Sequence, residues 1–217
     1  LKFDDVMNDQ RRVIFDQRKE IMRSEDISEM IRDMRYEVIE SMVLSSIPNQ
    51  SYHDEWDVET LSADVKNYLG LTLPIEEWTK EDGIIEKEII SRLIEFSNNH
   101  MAERAVQIGI DVFRQAEKTL MLQVLDQSWK DHLLMLDQMR QSIGLRAYAQ
   151  KDPLNEYKRE AFELFEGMLV KLRQTITSVL SNIEIRQENT DDTKEKGIPQ
   201  KLENTKIPRN AICPLCE

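Results

Sequence analysis

Asp131 and His132 are neighbouring side chains whose types would suit acid–base chemistry. A carboxylate that orients an imidazole is the arrangement by which many enzymes move a proton. Adjacent residues of a helix, however, point about 100° apart, so Asp131 is not placed to orient His132. His132 also falls on an apolar helical stripe. The pattern therefore predicts a packed, hydrogen-bonded histidine rather than a catalytic one.

Cys213 and Cys216 form a second chemically suggestive pair, with the Cys-x-x-Cys spacing of many zinc sites. Two thiolates supply half of a tetrahedral zinc shell, so zinc binding is one interpretation of the pair. A reduced cytosolic dithiol is the other. The remaining histidines, His53 and His100, have no partners at ligand spacing, which argues against a histidine metal site.

A third candidate is the loop from Gly144 to Lys151, which presents a leucine and a tyrosine beside two cations. Two interpretations of this loop are open. Leu145 and Tyr148 cap the core of a helical hairpin, or the loop is a contact tip whose amphipathic aromatic ring touches a partner.

Two amphipathic helices must hold this loop. Residues on one face of the first recur at spacings of three, four or seven: Met121, Leu125, His132, Leu136, Met139 and Ile143. Asp152 and Pro153 then supply the N-cap and the first position of a second helix. Its own stripe contains Leu154, Tyr157, Ala161, Leu164, Phe165, Met168, Leu172, Ile176 and Val179. The pattern predicts a helical hairpin.

The first 46 residues show mostly helical periodicity and predict one long helix, roughly 65 Å if it is unbroken to Leu44. Ser24-Glu25-Asp26 is a candidate interruption, because Ser and Asp compete for backbone hydrogen bonds. The next sixty residues predict short helices. These are Val58 to Leu69, with Asp57 as its cap and Gly70 as its stop; a turn from Pro74 to Trp78; and a longer helix from Asp82 with Ile85, Ile89, Leu93 and Phe96 on one face.

Composition agrees with an all-α fold, because glycine, proline and aromatic residues are few. The net charge of −12 argues against a nucleic-acid partner, since phosphate contacts need a basic face. No apolar run approaches the ~20 residues of a spanning helix, and no secretory signal opens the chain, so we expect a cytoplasmic location. No glycine precedes a lysine, so a Gly-Lys-Ser/Thr phosphate loop is absent and we expect no nucleotide site within the chain.

The run from Trp129 to Phe165, WKDHLLMLDQMRQSIGLRAYAQKDPLNEYKREAFELF, resembles the two-helix finger of the SecA family, the motor ATPases of the bacterial Sec export pathway. The opening run FDDVMNDQRR is similar to the YDDVMNxQR stretch that begins the family's helical scaffold. Together the two motifs extend the resemblance over residues 1–185. Two positions differ: Ala147 stands where the family usually has glycine, and Gly144 where it often has histidine.

The resemblance implies a division of the chain into four parts. Residues 1–46 correspond to the first, long helix of the helical scaffold, and residues 47–107 to the helical wing. Residues 108–185 correspond to the second scaffold part, which carries the two-helix finger with its tip at 144–152. Residues 186–217 are polar and aperiodic, which predicts a flexible linker. Their last residues resemble the start of the zinc module that closes many SecA chains.

The resemblance also implies roles. Tyr148 takes the position of the fingertip residue that contacts the translocating polypeptide, and the matching residues that flank it are Leu145, Arg146, Gln150 and Lys151. The chain would couple ATP hydrolysis, by motor domains that precede Leu1 and bind ATP and magnesium, to movement of unfolded preproteins. The implied partners are those motor domains, the preprotein, the Sec membrane channel, the chaperone SecB and anionic lipid, at the inner face of the cell membrane. The competing interpretation is a freestanding helical adaptor or regulator without ATPase activity.

Overall fold

The computed structural model describes residues 2–48, 55–143 and 152–183. Within these ranges it contains seven α-helices and no strand, which confirms the all-α prediction. None of the described helices is both long enough and apolar enough to cross a membrane. In chain order the helices are α1 Lys2–Arg23, α2 Ser28–Ser46, α3 Val58–Leu69, α4 Ile75–Trp78, α5 Glu86–Ile108, α6 Ile110–Ile143 and α7 Pro153–Asn182.

Residues 2–46 form two helices, so the predicted helix is not unbroken to Leu44. The break falls at the candidate interruption, between Arg23 and Ser28. The Ser24 hydroxyl and its backbone N–H both donate to the carbonyl of Glu20, at 2.9 Å each. The Asp26 carboxylate accepts the backbone N–H of Ser28 at 2.7 Å. The side chains of Ser24 and Asp26 thus bond to backbone groups at the break, as expected for serine and aspartate within a helical run.

Two large apolar clusters organise the helices. The scaffold cluster joins α1, the first half of α2, the end of α5, α6 and α7, and its fully buried members include Ile14, Ile21, Phe113, Met121, Leu125 and Ile176. The wing cluster joins the second half of α2 to α3, α4 and α5, and includes Ile39, Val43, Leu61, Leu69, Ile75 and Leu93. Helices α2 and α5 contribute to both clusters, so they link the region predicted as scaffold to the region predicted as wing.

The short helices begin and end largely where the sequence predicts. The Asp57 side chain caps α3 by accepting from the N–H of Thr60 at 3.0 Å, and Gly70 ends it with φ +66°. Helix α4 starts directly after Pro74. Helix α5 starts later than predicted, because Ile85 is extended and lies outside the helix, with about half of its surface exposed.

The end of α3 packs against the end of α7. The Asn67 carbonyl accepts from Ser178 Oγ at 2.9 Å and from Asn182 Nδ2 at 3.1 Å. A β-carbon added at Gly70 would lie 2.8 Å from Asn182 Oδ1 and 3.1 Å from the carbonyl oxygen of Ser181. Glycine at this turn therefore satisfies both a left-handed backbone and a close approach by α7.

We expect Gly70→Ala to lower the free energy of unfolding more than Gly83→Ala does. Gly83 also has positive φ, at +81°, but no atom lies within 4 Å of its added β-carbon. The control should therefore cost about 1 kcal/mol for backbone strain alone. Gly70→Ala should cost at least about 1 kcal/mol more, because α7 must shift. Urea unfolding followed by circular dichroism measures both, and equal losses would contradict the packing argument.

Candidate functional site at the α6–α7 hairpin

Helices α6 and α7 form the predicted hairpin. Leu136 and Met139 of α6 cluster with Tyr157 and Ala161 of α7, and further from the loop the rings of His132 and Phe165 lie 5.6 Å apart. The pairing runs in opposite chain directions, which is the antiparallel arrangement that a short loop requires.

Both predicted stripes are largely confirmed. Most of their members with described side chains are buried or partly buried. Val179 is the exception, at 40% exposed, and Leu180 is buried instead at 1%. The Asp152 carboxylate accepts the N–H of Leu154 at 3.0 Å, and Pro153 occupies the first turn, so the start of α7 is confirmed as well.

The predicted contact and metal residues lie outside the described residues. This applies to the fingertip set Leu145, Arg146, Tyr148, Gln150 and Lys151, and to Cys213 and Cys216. Their roles stay predictions. Within the described part of the chain, no three His, Cys, Asp or Glu side chains are grouped to hold a metal ion.

Helix α1 lies along the hairpin and is joined to it by polar contacts at three levels. Nearest the loop, Arg140 Nη1 donates to the Asp4 carboxylate at 3.0 Å. Gln10 makes the middle contact. Further from the loop, Arg18 donates to both carboxylate oxygens of Asp126, at 2.9 and 3.3 Å. From residue 4 to residue 18, these contacts span about 21 Å of α1.

The middle contact is a buried amide that joins three helices. Gln10 Nε2 donates to the backbone carbonyl of Ala161 in α7 at 3.0 Å. Gln10 Oε1 lies 2.9 Å from Nε2 of His132 in α6. A carbonyl only accepts, so the amide nitrogen faces Ala161 and the amide oxygen faces the ring. His132 Nε2 must then carry the hydrogen and donate it.

His132 is the packed, hydrogen-bonded histidine that the sequence predicts. It is 1% exposed, and its ring lies 5.5 Å from that of Trp129. Its Nδ1 is buried without a hydrogen-bond partner, so the ring is held neutral. Burial lowers the pKa of His132. Asp131 is exposed and accepts from Gln127 Nε2 at 2.9 Å, so it does not orient the ring.

A groove of about 620 Å³ opens between α6 and α7 on the surface of the hairpin. Its apolar lining includes Leu134, which is 60% exposed, and Met135, which is 49% exposed. Gly167 lies in the groove with no atom within 4 Å of an added β-carbon, so it widens the opening. Asp131 and Glu163 are the acidic residues of the lining. Lys171 lines the groove as well, so its charged residues carry both signs. The arrangement suits an apolar segment.

The sequence did not predict this groove. Its one signal was Met135, a methionine that lies off the buried stripe of α6. Leu134 beside it carries no such signal, because single exposed leucines are ordinary on protein surfaces.

Comparison with known proteins gives a match that covers all of the described residues. The family model described as the SecA Wing and Scaffold domain matches residues 1–184. A protein translocase subunit SecA of Afipia carboxidovorans is 49% identical over 185 residues, which are 85% of this chain and 20% of the relative. A protein translocase subunit SecA 1 of Rhodopseudomonas palustris is 48% identical over the same shares. The chain therefore spans about a fifth of the length of these relatives.

The buried ring predicts a pH dependence of stability. Because the folded pKa of His132 lies below the ordinary 6.5, the unfolded chain binds a proton that the folded chain excludes. The stabilisation is fully present above pH 6.5 and is lost as the pH falls from there through the folded pKa. His132 contributes at most about 1.4 kcal/mol per pH unit to the slope of the free energy of unfolding against pH. Urea unfolding between pH 7.5 and 5.5 measures it.

His132→Gln keeps a donor for Gln10 but removes the titrating ring, so this part of the slope should disappear. His100→Gln is the matched control, because His100 is only partly buried and its Nε2 lies 3.1 Å from the Ser181 carbonyl. The slope should survive in that variant. A slope retained in both variants would place its source elsewhere.

Proposed function

This chain belongs to the SecA family as its wing and scaffold part, and on that premise we propose that it couples a motor to a moving polypeptide. The motor domains, which bind ATP and magnesium, lie outside residues 1–217. The polypeptide is an unfolded preprotein in transit through the Sec membrane channel. The chain itself acts mechanically.

The observation that carries this proposal is the three-level attachment of α1 to the hairpin. One contact would leave α1 free to pivot, whereas contacts separated by about 21 Å resist both rotation and sliding. Between the outer two ion pairs, the buried Gln10 amide fixes the register of all three helices. A displacement applied to α1 is therefore passed to the hairpin as a whole.

The loop of the hairpin is the contact end in this proposal. Tyr148 offers an amphipathic ring to a passing chain, flanked by Leu145, Arg146, Gln150 and Lys151. The groove on the surface of the hairpin supports the same role, because its exposed apolar lining suits an apolar segment of an unfolded chain.

The remaining parts of the proposal concern the tail and the location. Cys213 and Cys216 would provide two of the four ligands of a tetrahedral zinc, and the others must come from elsewhere. A tail module of this kind is the proposed contact for SecB or anionic lipid. The protein would act from the cytoplasm at the inner face of the cell membrane. Neither the family match nor the relatives favour the freestanding adaptor.

Tyr148→Ala, in the full polypeptide that carries residues 1–217, should reduce translocation while the protein stays folded. Loss of an aromatic contact of about 1 kcal/mol corresponds to a several-fold effect on transport. The free energy of unfolding should change by less than about 0.5 kcal/mol. Transport of a labelled preprotein into membrane vesicles, together with urea unfolding, measures the two effects.

Phe162→Ala is the matched control, because this aromatic ring is 60% exposed on the same hairpin but lies in α7, away from the loop. It should leave transport unchanged. Parallel losses of transport and stability in Tyr148→Ala would instead make Tyr148 a packing residue.

The attachment of α1 can be tested by exchanging the charges of one ion pair. Arg18→Asp places two carboxylates together and should lower the amount of preprotein moved per ATP hydrolysed. Combining it with Asp126→Arg restores an ion pair and should restore the yield. The measurement is translocated preprotein and released phosphate in one assay. A single variant with unchanged yield would show that this pair is not needed for coupling.

A further inference from the structure

The break between α1 and α2 is held by a lysine from a distant helix. Lys118 of α6 extends its ammonium to the end of α1, where Nζ donates to the carbonyls of Met22 at 3.1 Å and Ser24 at 2.7 Å. A cation at this position also interacts favourably with the negative end of the α1 dipole.

These two carbonyls are the ones a continuous helix would use. In an α-helix the N–H of residue i bonds to the carbonyl of residue i−4, so Ser24 would accept from Ser28 and Met22 from Asp26. Here Lys118 takes the Ser24 carbonyl, and the Asp26 carboxylate takes the Ser28 N–H. The backbone hydrogen bond between the Ser28 N–H and the Ser24 carbonyl is thus replaced by two side-chain hydrogen bonds, so both backbone groups keep a partner.

Other groups of the same α6 turn surround the break. Arg114 Nε lies 3.9 Å from the Asp26 carboxylate, and Arg114 Nη1 donates to the buried Glu117 at 2.8 Å. Ile27, inside the break, is 3% exposed in the scaffold cluster. The broken form is thus stabilised by apolar burial and by a matched set of charges.

The break also lies between two helices that pack against different parts of the fold. Helix α1 is joined to the hairpin, whereas the second half of α2 enters the wing cluster through Ile39, Met42 and Val43. The geometry of residues 24–27 therefore sets the direction in which α2 leaves α1, while hydrogen bonds from α7 to α3 hold the wing against the hairpin directly.

We propose that Ser24 to Ile27 is a two-state joint, in which Lys118 and Asp26 hold the broken form and withdrawal of Lys118 lets α1 and α2 join into one helix. Lys118 and Asp26 are positioning residues in this joint. The inference rests on hydrogen-bond geometry and goes beyond the proposed transport function, so it stands or falls independently.

Spin labels on either side of the joint test it directly. Asp9→Cys and Glu40→Cys place labels at two exposed positions, in the full polypeptide with every native cysteine replaced by serine. On one straight helix, 31 residues apart, the labels would be about 46 Å apart. Double electron–electron resonance should show a shorter separation in the otherwise unaltered protein. Lys118→Met should add a population near 46 Å.

Matched variants separate the joint from general effects. Lys118→Arg keeps a cationic donor and should restore the shorter distance. Lys80→Met removes a lysine paired with Glu76 at 3.0 Å, far along the chain in the wing, and should change nothing. Hydrogen exchange of peptides that cover residues 24–28 should slow in Lys118→Met if the helix becomes continuous. An unchanged distance distribution, or faster exchange from simple fraying, would overturn the proposal.

Discussion

A single buried amide sets the register of the scaffold. The side chain of Gln10 has one donor group, its NH₂, and one acceptor group, its carbonyl oxygen, and each contacts a different helix of the hairpin. A shift of α1 by one residue would move this amide away from both partners and leave the His132 N–H unpaired in an apolar core, at a cost of roughly 1–3 kcal/mol. The Ala161 carbonyl would lose the Gln10 contact but keep its place in the hydrogen-bond ladder of α7. The apolar cluster around it would accept several registers, because leucine and isoleucine contacts are not directional. The amide selects one.

The two ends of α1 are held by charged side chains, whereas its middle is held by the buried hydrogen-bonded amide of Gln10. The ion pairs of Asp4 and Arg18 are partly exposed and screened by solvent, so they align the helix without contributing much to its stability. At the last turn, the ammonium of Lys118 meets backbone carbonyls. A helix attached in this manner is rigid along its length and adjustable at its end, which suits an element that joins a hairpin to a wing.

Much of the fold could be predicted from local patterns. The hairpin stripes, the Asp152 cap and the Gly70 stop each depend on residues within one or two turns, and such signals are visible in the sequence. The Gln10 contact is not, because glutamine in an exposed-looking polar run gives no sign of a partner 151 residues away. The choice between one long helix and a break at Ser24 likewise depended on Lys118, 94 residues further on. The groove needed the spacing between α6 and α7, which no single helix encodes.

The long sequence separation of the α1 contacts bears on how the chain is made. Helix α1 leaves the ribosome before the hairpin, and its partner Ala161 follows 151 residues later. At about 5–20 residues per second, α1 must wait roughly 8 to 30 s before α7 exists. During that interval Ile14 and Ile21, which end at 1% and 0% exposed, have no core to enter. Until α7 has been synthesised, these side chains are apolar surface of the kind that chaperones protect during synthesis.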